Sequence, residues 1–539
     1  MTRSETDVLI IGAGPSGLAL ATELIARGRR VHIVERNDRT GVQPRAKTTN
    51  VRTMTHMRRW GLAGEVRNRS PLAPSYPRRV LYQTGLFDPP IFSFDDAFCA
   101  TPGQRDAFPE HAEFVPQYVI EGILAEHVAA QPLARLEFAC ELVEFEQAGS
   151  AHVSALVRRS DGTEGRIDAR YIVGADGGRS TVRRQLGIGM TGTRDIASFV
   201  TLILRIPGLT DAPGLHHALF HWIVRRDATC IIGPLDQGDL WYFSRLADRG
   251  TETEDVLQIV RRAIGRDVEI EVVARDNWVT HSLLAERYRD GRAFLIGDAC
   301  HLHSPFGGHG MNLGIGDAVD LGWKLAAILD GWGTESLLDS YGIERGQAHR
   351  AVIDSSTRNA TFLSEQFADP ALSEDGPEGE VARARAADEI EALKAPEFRS
   401  LGLVLGYRYM DSPALAPTEP AGPVEETRYT PCAMPGHVAP HAWGADGASL
   451  YDNLGKGFSL LVMAEGHNPA ELRSAAARHG VPLDVLLLAD PALRTLYGVD
   501  LALIRPDQHI AWAGNTLAAA DKLVAIMRGE AKGRTPSIA

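Results

Sequence analysis

The hydrophobic pattern at the start of the chain predicts a strand, a turn, a helix and a second strand. After Asp7, residues 8–11 are apolar and rich in β-branched side chains, which is typical of a buried strand. The glycine-rich segment 12–17 interrupts this run, and apolar positions then recur at helical spacing over residues 18–25. Gly28 is well placed to end the helix, and residues 31–34 read as the next strand.

This order of elements suits a dinucleotide. Gly12 allows a tight turn, Gly14 lets a pyrophosphate approach the backbone, and Gly17 lets the helix pack closely on the strand. The helix start offers N–H groups and a positive dipole end to phosphates. Glu35 follows the second strand, where a carboxylate accepts hydrogen bonds from ribose hydroxyls. The residues predicted to bind the cofactor here are Gly12, Gly14, Pro15, Ser16, Gly17, Glu35 and Arg36.

A second glycine turn follows the apolar run at residues 171–174. It contains Asp176 and Gly177 and precedes a predicted helix with Val182 and Leu186. Asp176 could hold a ribose or pyrophosphate, with Arg179 and Arg183 facing phosphate charge. A capped turn between strand and helix explains the pattern about equally well.

A third glycine turn lies further along the chain. Residues 292–297 predict a strand that delivers Asp298 to its C-terminal end. The loop 305–310 contains three glycines, so it can approach a planar ring closely. Helical spacing from Ile315 to Leu329 predicts a long helix that begins near Met311. N–H groups at its start could stabilise negative charge on a reduced flavin ring.

These motifs, in this order, resemble those of the group A flavoprotein monooxygenases, the para-hydroxybenzoate hydroxylase-like aromatic hydroxylases. They organise about residues 1–350. The resemblance implies FAD, NAD(P)H with NADPH favoured, and O2. It implies hydroxylation of a phenolic or polycyclic aromatic ring through a flavin 4a-hydroperoxide. Epoxidation, Baeyer–Villiger insertion and flavin binding without turnover stay open, whereas the Trp-x-Trp-x-x-Ile-Pro segment of related halogenases is absent.

The resemblance also implies roles for single residues. Arg45 matches an arginine near the flavin ring, and Gln117 matches a glutamine that contacts the ribityl or phosphate region. Cys300 and His309 depart from the usual pattern. The other positions implied to bind the cofactor are Asp176, Gly177, Asp298, Pro305, Gly308, Gly310, Met311 and Asn312.

Strand-like alternation fills the middle of the chain, about residues 190–280. Four short β segments at 199–205, 221–225, 229–233 and 240–244 predict an antiparallel sheet that forms a second wall over the flavin. Ordinary sheet packing explains most of its side chains, since alternation buries every second residue. Wall candidates are Trp222, Cys230, Trp241 and Tyr242, with His221 a possible proton acceptor. The candidate catalytic residues are therefore Arg45, His221, Tyr242 and Pro305.

The predicted fold is α/β: a Rossmann-like FAD-binding domain, an inserted antiparallel β-sheet substrate domain and a C-terminal thioredoxin-like α/β domain. That last domain lacks CxxC, so redox chemistry there is unsupported and a packing or dimer-forming role is expected. The final segment, from Gly529 to Ala539, is expected to be mobile. The predicted boundaries are 1–188 and 285–367 for FAD binding, 189–284 for substrate, 368–424 for a helix and linker, and 425–539 for the thioredoxin-like domain.

Composition narrows the function further. With 56 basic and 69 acidic side chains, the chain offers no general attraction to nucleic acid or anionic lipid. The five cysteines lack CxxC or zinc-ligand spacing, which predicts free thiols and no metal site. The start of the chain lacks the apolar region of a signal peptide, and no stretch could span a membrane. We therefore expect a cytoplasmic monomer or homodimer that acts on an aromatic small molecule of unspecified identity.

Overall fold

A computed structural model describes residues 2–38, 46–148, 152–247, 253–361, 364–419, 422 and 424–531. Among them, no helix is long and apolar enough to cross a lipid bilayer. The helices are α1 Pro15–Ala26, α2 Val51–Arg59, α3 Ala63–Asn68, α4 Gln117–Ala129, α5 Thr181–Gln185, α6 Thr253–Ile264, α7 Gly310–Leu329, α8 Glu335–Thr361, α9 Pro377–Phe398, α10 Leu401–Leu405, α11 Ala470–Arg478, α12 Pro491–Tyr497 and α13 Ala520–Arg528. The strands are β1 Thr2–Ile11, β2 Val31–Val34, β3 Thr48–Thr49, β4 Val80–Gln83, β5 Phe92–Phe94, β6 Glu113–Phe114, β7 Ala134–Glu137, β8 Cys140–Ala148, β9 His152–Arg159, β10 Glu164–Gly174, β11 Met190–Arg205, β12 Phe220–Ile223, β13 Cys230–Pro234, β14 Leu240–Leu246, β15 Glu271–Ala285, β16 Arg289–Asp290, β17 Ala293–Leu295, β18 His301–Leu302, β19 Phe458–Val462, β20 Leu483–Leu487, β21 Leu501–Ile504 and β22 Ile510–Gly514.

The first sheet brings the three glycine turns to one edge. Its order is β16-β17-β10-β1-β2-β7, with β8 and β9 attached through β10, and the pairs that join β17, β10, β1, β2 and β7 are all parallel. Because parallel strands end at the same edge, the turns after β1, β10 and β17 lie side by side. The predicted strands and helices around all three turns are confirmed.

The second sheet has the order β18-β15-β11-β14-β13-β12-β4-β5. All its pairs are antiparallel except β12 with β4. One face carries an aromatic cluster that includes Phe306 of the loop 305–310, and α6 belongs to the apolar cluster on the other face. The four predicted β segments are confirmed. The sheet also takes β4, β5 and β18 from outside residues 189–284, a range that remains a predicted domain boundary.

The C-terminal unit contains the four-stranded sheet β20-β19-β21-β22, in which β19 and β20 are parallel and β21 and β22 form a hairpin. This is the predicted thioredoxin-like arrangement, although α12 was not predicted. The unit packs against α7, where Trp323 contacts Phe458 edge to face at 5.9 Å. Arg505 is buried and bonds to Asp320 on α7 and Glu344 on α8. Residues 532–539 of the predicted mobile tail lie outside the described residues.

Candidate active site

The first and second glycine turns touch at Gly12. This residue has a φ of +108°, and a Cβ there would stand 2.4 Å from the backbone oxygen of Ala175. No other residue type fits both the backbone conformation and the space. The close approach therefore fixes the turn after β1 against the turn after β10.

The first and third turns touch through Ser16. A Cβ on Gly314, in α7, would stand 2.1 Å from the Ser16 hydroxyl oxygen, so the start of α1 packs directly on the first turns of α7. The second and third turns are joined by Arg183, which donates to the carbonyl oxygens of Ala299 and Gly178, each at 2.9 Å. All three sequence motifs therefore form one continuous structure. Arg183 therefore joins two turns, which corrects the expectation that it faces phosphate charge.

Asp176 caps a helix with one of its two carboxylate oxygens. Its Oδ2 accepts hydrogen bonds from the backbone N–H groups of Thr181 (2.6 Å) and Val182 (3.2 Å). Its Oδ1 is buried without a partner among the described residues. Burial raises the pKa of Asp176 above its ordinary value, against these hydrogen bonds. The capped-turn alternative is thus correct for one oxygen, and the other can still meet a ligand hydroxyl.

Asp317, on α7, fixes the turn after β17 through a hydrogen bond. Its Oδ2 accepts a hydrogen bond from the Gly297 N–H at 3.0 Å, and its Oδ1 accepts from Arg345 at 2.7 Å. Cys300, His301 and His349 surround Asp317. One side-chain sulfur, nitrogen or oxygen atom from each of these four residues lies within 4.8 Å of those of the others. Since Asp317 already pairs with the Arg345 guanidinium, this cluster reads as an internal ion pair that anchors the turn. Asp298 itself is exposed at the end of the strand.

The third loop leads into α7. Pro305 is exposed, its carbonyl accepts from the Gly308 N–H at 3.0 Å, and α7 begins at Gly310 without a side-chain cap. Asn312 donates to the carbonyl oxygens of Thr48 (2.8 Å) and Gly308 (2.7 Å). The uncapped N–H groups of the helix remain directed at the site. Asn312 therefore holds the loop shape, whereas Met311 is buried in the core.

Four further residues are predicted to bind the cofactor: Glu35, Arg36, Arg45 and Gln117. Glu35 Oε2 accepts a hydrogen bond from the Ala13 N–H at 2.9 Å, which places the carboxylate over the glycine turn, and Arg36 is exposed beside it. Gln117 begins α4, and its backbone N–H donates to Ala46 at 2.8 Å. Arg45, predicted to lie near the flavin ring, falls outside the described residues. The individual roles of all these residues remain predictions.

An aromatic wall faces the third loop. Phe306, next to Pro305, packs on Trp222 with ring centroids 5.8 Å apart and on Phe199 at 6.0 Å, and Phe199 stacks on Trp278 at 4.6 Å. Tyr242 belongs to the same cluster. Trp222 and Tyr242 are thus on the side of the sheet predicted for substrate. Cys230 and Trp241 are not, because they pack in the apolar cluster on the other face.

His221 does not reach this wall. Its neighbours Phe220 and Trp222 point into the aromatic cluster, so alternation turns His221 to the opposite face. There it is buried, and its Nδ1 lies 2.6 Å from Gln83 Oε1. Burial lowers the pKa of His221 to about 3. The structure therefore corrects the expectation that His221 takes a proton from substrate, and the sheet register that decides this could not be read from the sequence.

Two lysines near the wall were missed by sequence reasoning. The Lys47 ammonium lies 3.7 Å from the centroid of the Tyr242 ring. Lys394, on α9, is buried, pairs with Glu397 and lies 4.5 Å from the Trp222 ring centroid. Neither stands in a recognisable motif. The one available signal for Lys47 is its place two residues after the predicted site residue Arg45.

These residues fit FAD. The position of a Cβ on Gly14 has no atom within 4 Å, which leaves the helix start open to a pyrophosphate. Within the described part of the chain Asp176 Oδ1 has no hydrogen-bond partner, and the uncapped start of α7 stands beside a glycine loop and an aromatic wall. The site therefore offers a phosphate cradle, an acceptor for a ribose or ribityl hydroxyl, and a surface for a planar ring.

Comparison with known proteins agrees with this geometry. Residues 5–356 match the FAD binding domain family, and residues 432–529 match the aromatic-ring hydroxylase C-terminal family. Aklavinone 12-hydroxylase of Streptomyces peucetius is 32% identical over 86% of this chain and 93% of its own length. A structure of the rebeccamycin biosynthetic enzyme RebC with reduced flavin aligns with a TM-score of 0.91 at 34% identity, over 98% of this chain and 100% of that one. A complex of aklavinone-11 hydroxylase with FAD and aklavinone aligns with a TM-score of 0.79 at 29% identity, over 98% of this chain and 99% of that one. The chain therefore belongs to the FAD-dependent aromatic-ring hydroxylases, which are flavoprotein monooxygenases.

Proposed function

We propose that the protein hydroxylates a phenolic, fused-ring aromatic substrate and that NAD(P)H, with NADPH favoured, is its reductant. The observation that carries the substrate class is the aromatic wall of Phe306, Trp222, Phe199 and Trp278 directly beside the glycine loop. Relatives whose names state a substrate act on aklavinone and on 4-methyl-5-nitrocatechol. Bound FAD would accept a hydride and activate dioxygen for transfer to the ring.

The protein's own groups position the reactants and exclude water. Gly12, Gly14 and Ser16 would hold the pyrophosphate, Glu35 and Asp176 would accept from hydroxyl groups, and the start of α7 would favour negative charge on the reduced ring. Arg45, Gln117, Asp298 and Pro305 keep the cofactor roles that the resemblance implies.

Polar groups on the wall favour a substrate that bears oxygen. The Tyr82 hydroxyl and the Trp222 indole N–H are buried without a partner among the described residues. Such donors gain a hydrogen bond when a substrate oxygen reaches them. Burial raises the pKa of Tyr242 well above its ordinary value, so this phenol stays neutral and can donate as well. We also propose that the protein is a monomer or homodimer and that it acts in the cytoplasm.

Substrate-stimulated reductant consumption tests it. The holoenzyme would be incubated with NADPH or NADH and a panel of catechols, naphthols and hydroxyanthraquinones, with oxygen uptake and hydrogen peroxide recorded. The proposal predicts that fused-ring phenols accelerate NADPH oxidation and form little peroxide. Phe306→Ala should raise the peroxide formed per NADPH, because water then reaches the ring. A yellow protein that no panel member stimulates would instead favour flavin binding without turnover.

A further inference from the structure

Lys47 lies between the glycine loop 305–310 and the second sheet. Its carbonyl oxygen accepts from the Val115 N–H at 2.7 Å, which fixes the backbone just before β3. The next residue, Thr48, has its Cβ 2.8 Å from where a Cβ on Gly308 would stand. The Lys47 side chain runs the other way and places its ammonium 3.7 Å from the centroid of the Tyr242 ring. The backbone of Lys47 thus leads into Thr48, which packs against the loop 305–310, and its side chain reaches the aromatic wall.

No carboxylate of the described residues pairs with the ammonium of Lys47. Among the described residues, Lys47 forms no ion pair, whereas the buried Lys394 pairs with Glu397 and the buried Lys324 pairs with Asp320 and Glu344. Burial alone lowers the pKa of Lys47 to about 8. Lys47 is partly buried, and a partly desolvated cation without an anion is costly. The fully buried Lys324 and Lys394 are both paired.

Tyr242 supports the cation without neutralising it. The face of an aromatic ring attracts an ammonium, but the attraction replaces only part of the lost hydration. Tyr242 is buried on the face of β14 that points to the aromatic wall. An anionic oxygen on a substrate bound against that wall would form an ion pair with the Lys47 ammonium.

We propose that Lys47 binds an acidic substituent, a phenolate or carboxylate oxygen, of the aromatic substrate and thereby selects acidic over neutral ring systems. This inference rests on the proposed function, since it requires an aromatic ligand at the wall. Hydrogen bonds to a charged group are about twice as strong as neutral ones. Loss of the ammonium should therefore weaken binding of an acidic ligand about 10-fold to 100-fold and leave a neutral ligand nearly unaffected.

Ligand binding to the holoenzyme tests this without requiring turnover. A naphthoate and the matching naphthamide would be titrated into flavin-loaded protein, and Kd would be read from the change in the visible flavin spectrum. The variants are Lys47→Met, the conservative Lys47→Arg, and Lys456→Met, which removes the same charge from an exposed lysine far along the chain. We expect a preference for naphthoate in the parent protein that Lys47→Met abolishes, Lys47→Arg largely restores and Lys456→Met leaves within about twofold.

The remaining outcomes separate the two proposals. If Lys47→Met retains the naphthoate preference, or lowers only the affinity for FAD, the role of Lys47 is refuted while aromatic hydroxylation stands. A parent protein that hydroxylates fused-ring phenols but binds naphthoate and naphthamide equally also refutes it. If the flavin-loaded parent binds neither ligand and no panel phenol stimulates it, the proposed function fails and takes this inference with it.

Discussion

Arg183 donates a hydrogen bond to the carbonyl oxygen of Ala299 at 2.9 Å, although 116 positions separate them in the chain. A second N–H of the same guanidinium reaches Gly178 at 2.9 Å. One side chain thus ties the turn after β10 to the turn after β17. The two bonds come from different nitrogens of the planar guanidinium, and a lysine has only one nitrogen from which to donate.

Arg183→Lys should loosen the junction between the second and third turns. We expect a loss of about 1–3 kcal/mol in stability and weaker FAD retention, measured by thermal unfolding and by flavin released during dialysis. Arg184→Lys is the matched control, because Arg184 is exposed on the same helix. Equal effects of the two substitutions would show that the junction does not depend on Arg183.

Gly12→Ala and Gly14→Ala should both impair FAD binding, but for different reasons. At Gly12 the added methyl meets the Ala175 backbone at 2.4 Å and φ is +108°, so the apoprotein itself should be destabilised. At Gly14 nothing lies within 4 Å and φ is −75°, so only the approach of the pyrophosphate is obstructed. Unfolding of the apoproteins in urea distinguishes the cases. An apoprotein of Gly14→Ala as unstable as that of Gly12→Ala would contradict this account.

The buried His221 should make stability fall in mild acid. Burial lowers its pKa to about 3 in the folded protein, whereas the unfolded chain takes up a proton near pH 6.5. Between these values acid favours the unfolded state, by about 1.4 kcal/mol per pH unit, and stability returns as pH rises through 6.5. Urea midpoints at pH 7.5 and pH 5 check this.

His221→Asn removes that titration, so the variant should lose about 2 kcal/mol less than the parent between pH 7.5 and pH 5. It should retain substrate-stimulated NADPH oxidation, since His221 faces away from the aromatic wall. Identical pH slopes, or complete loss of turnover in a folded variant, would show that His221 is placed differently.

Arg505 should be essential for docking the C-terminal unit. It is buried and bonds to Glu344, Asp320 and Asp507, so Arg505→Met leaves these three buried carboxylates to share the single ammonium of Lys324, at a cost of about 3–5 kcal/mol. Thermal unfolding and limited proteolysis between residues 406 and 430 would report it. Arg494→Met is the control, because its pair with Asp500 is exposed and contributes at most about 1 kcal/mol. If both variants unfold alike, the buried network does not hold the unit in place.

The three glycine turns were predictable because backbone geometry and apolar periodicity are local properties. Their elements, from β1 to α7, lie where the pattern places them. The second sheet was only partly predictable, since paired residues of β4 and β12 are 140 positions apart and no local pattern indicates such a pairing. Side-chain direction was less predictable still: Trp222 and His221 are neighbours, yet the register sends one to the wall and the other away. Lys47 escaped notice because its setting depends on Tyr242, which is distant in sequence.

Product analysis under labelled dioxygen tests the central claim most directly. The FAD-loaded enzyme, supplied with NADPH and a fused-ring phenol that stimulates reductant consumption, would react under ¹⁸O₂, and the product would be analysed by mass spectrometry. The account predicts a hydroxylated ring that carries one heavy oxygen atom. A product whose new oxygen comes from water, or NADPH consumption that yields only hydrogen peroxide across the panel, would contradict it.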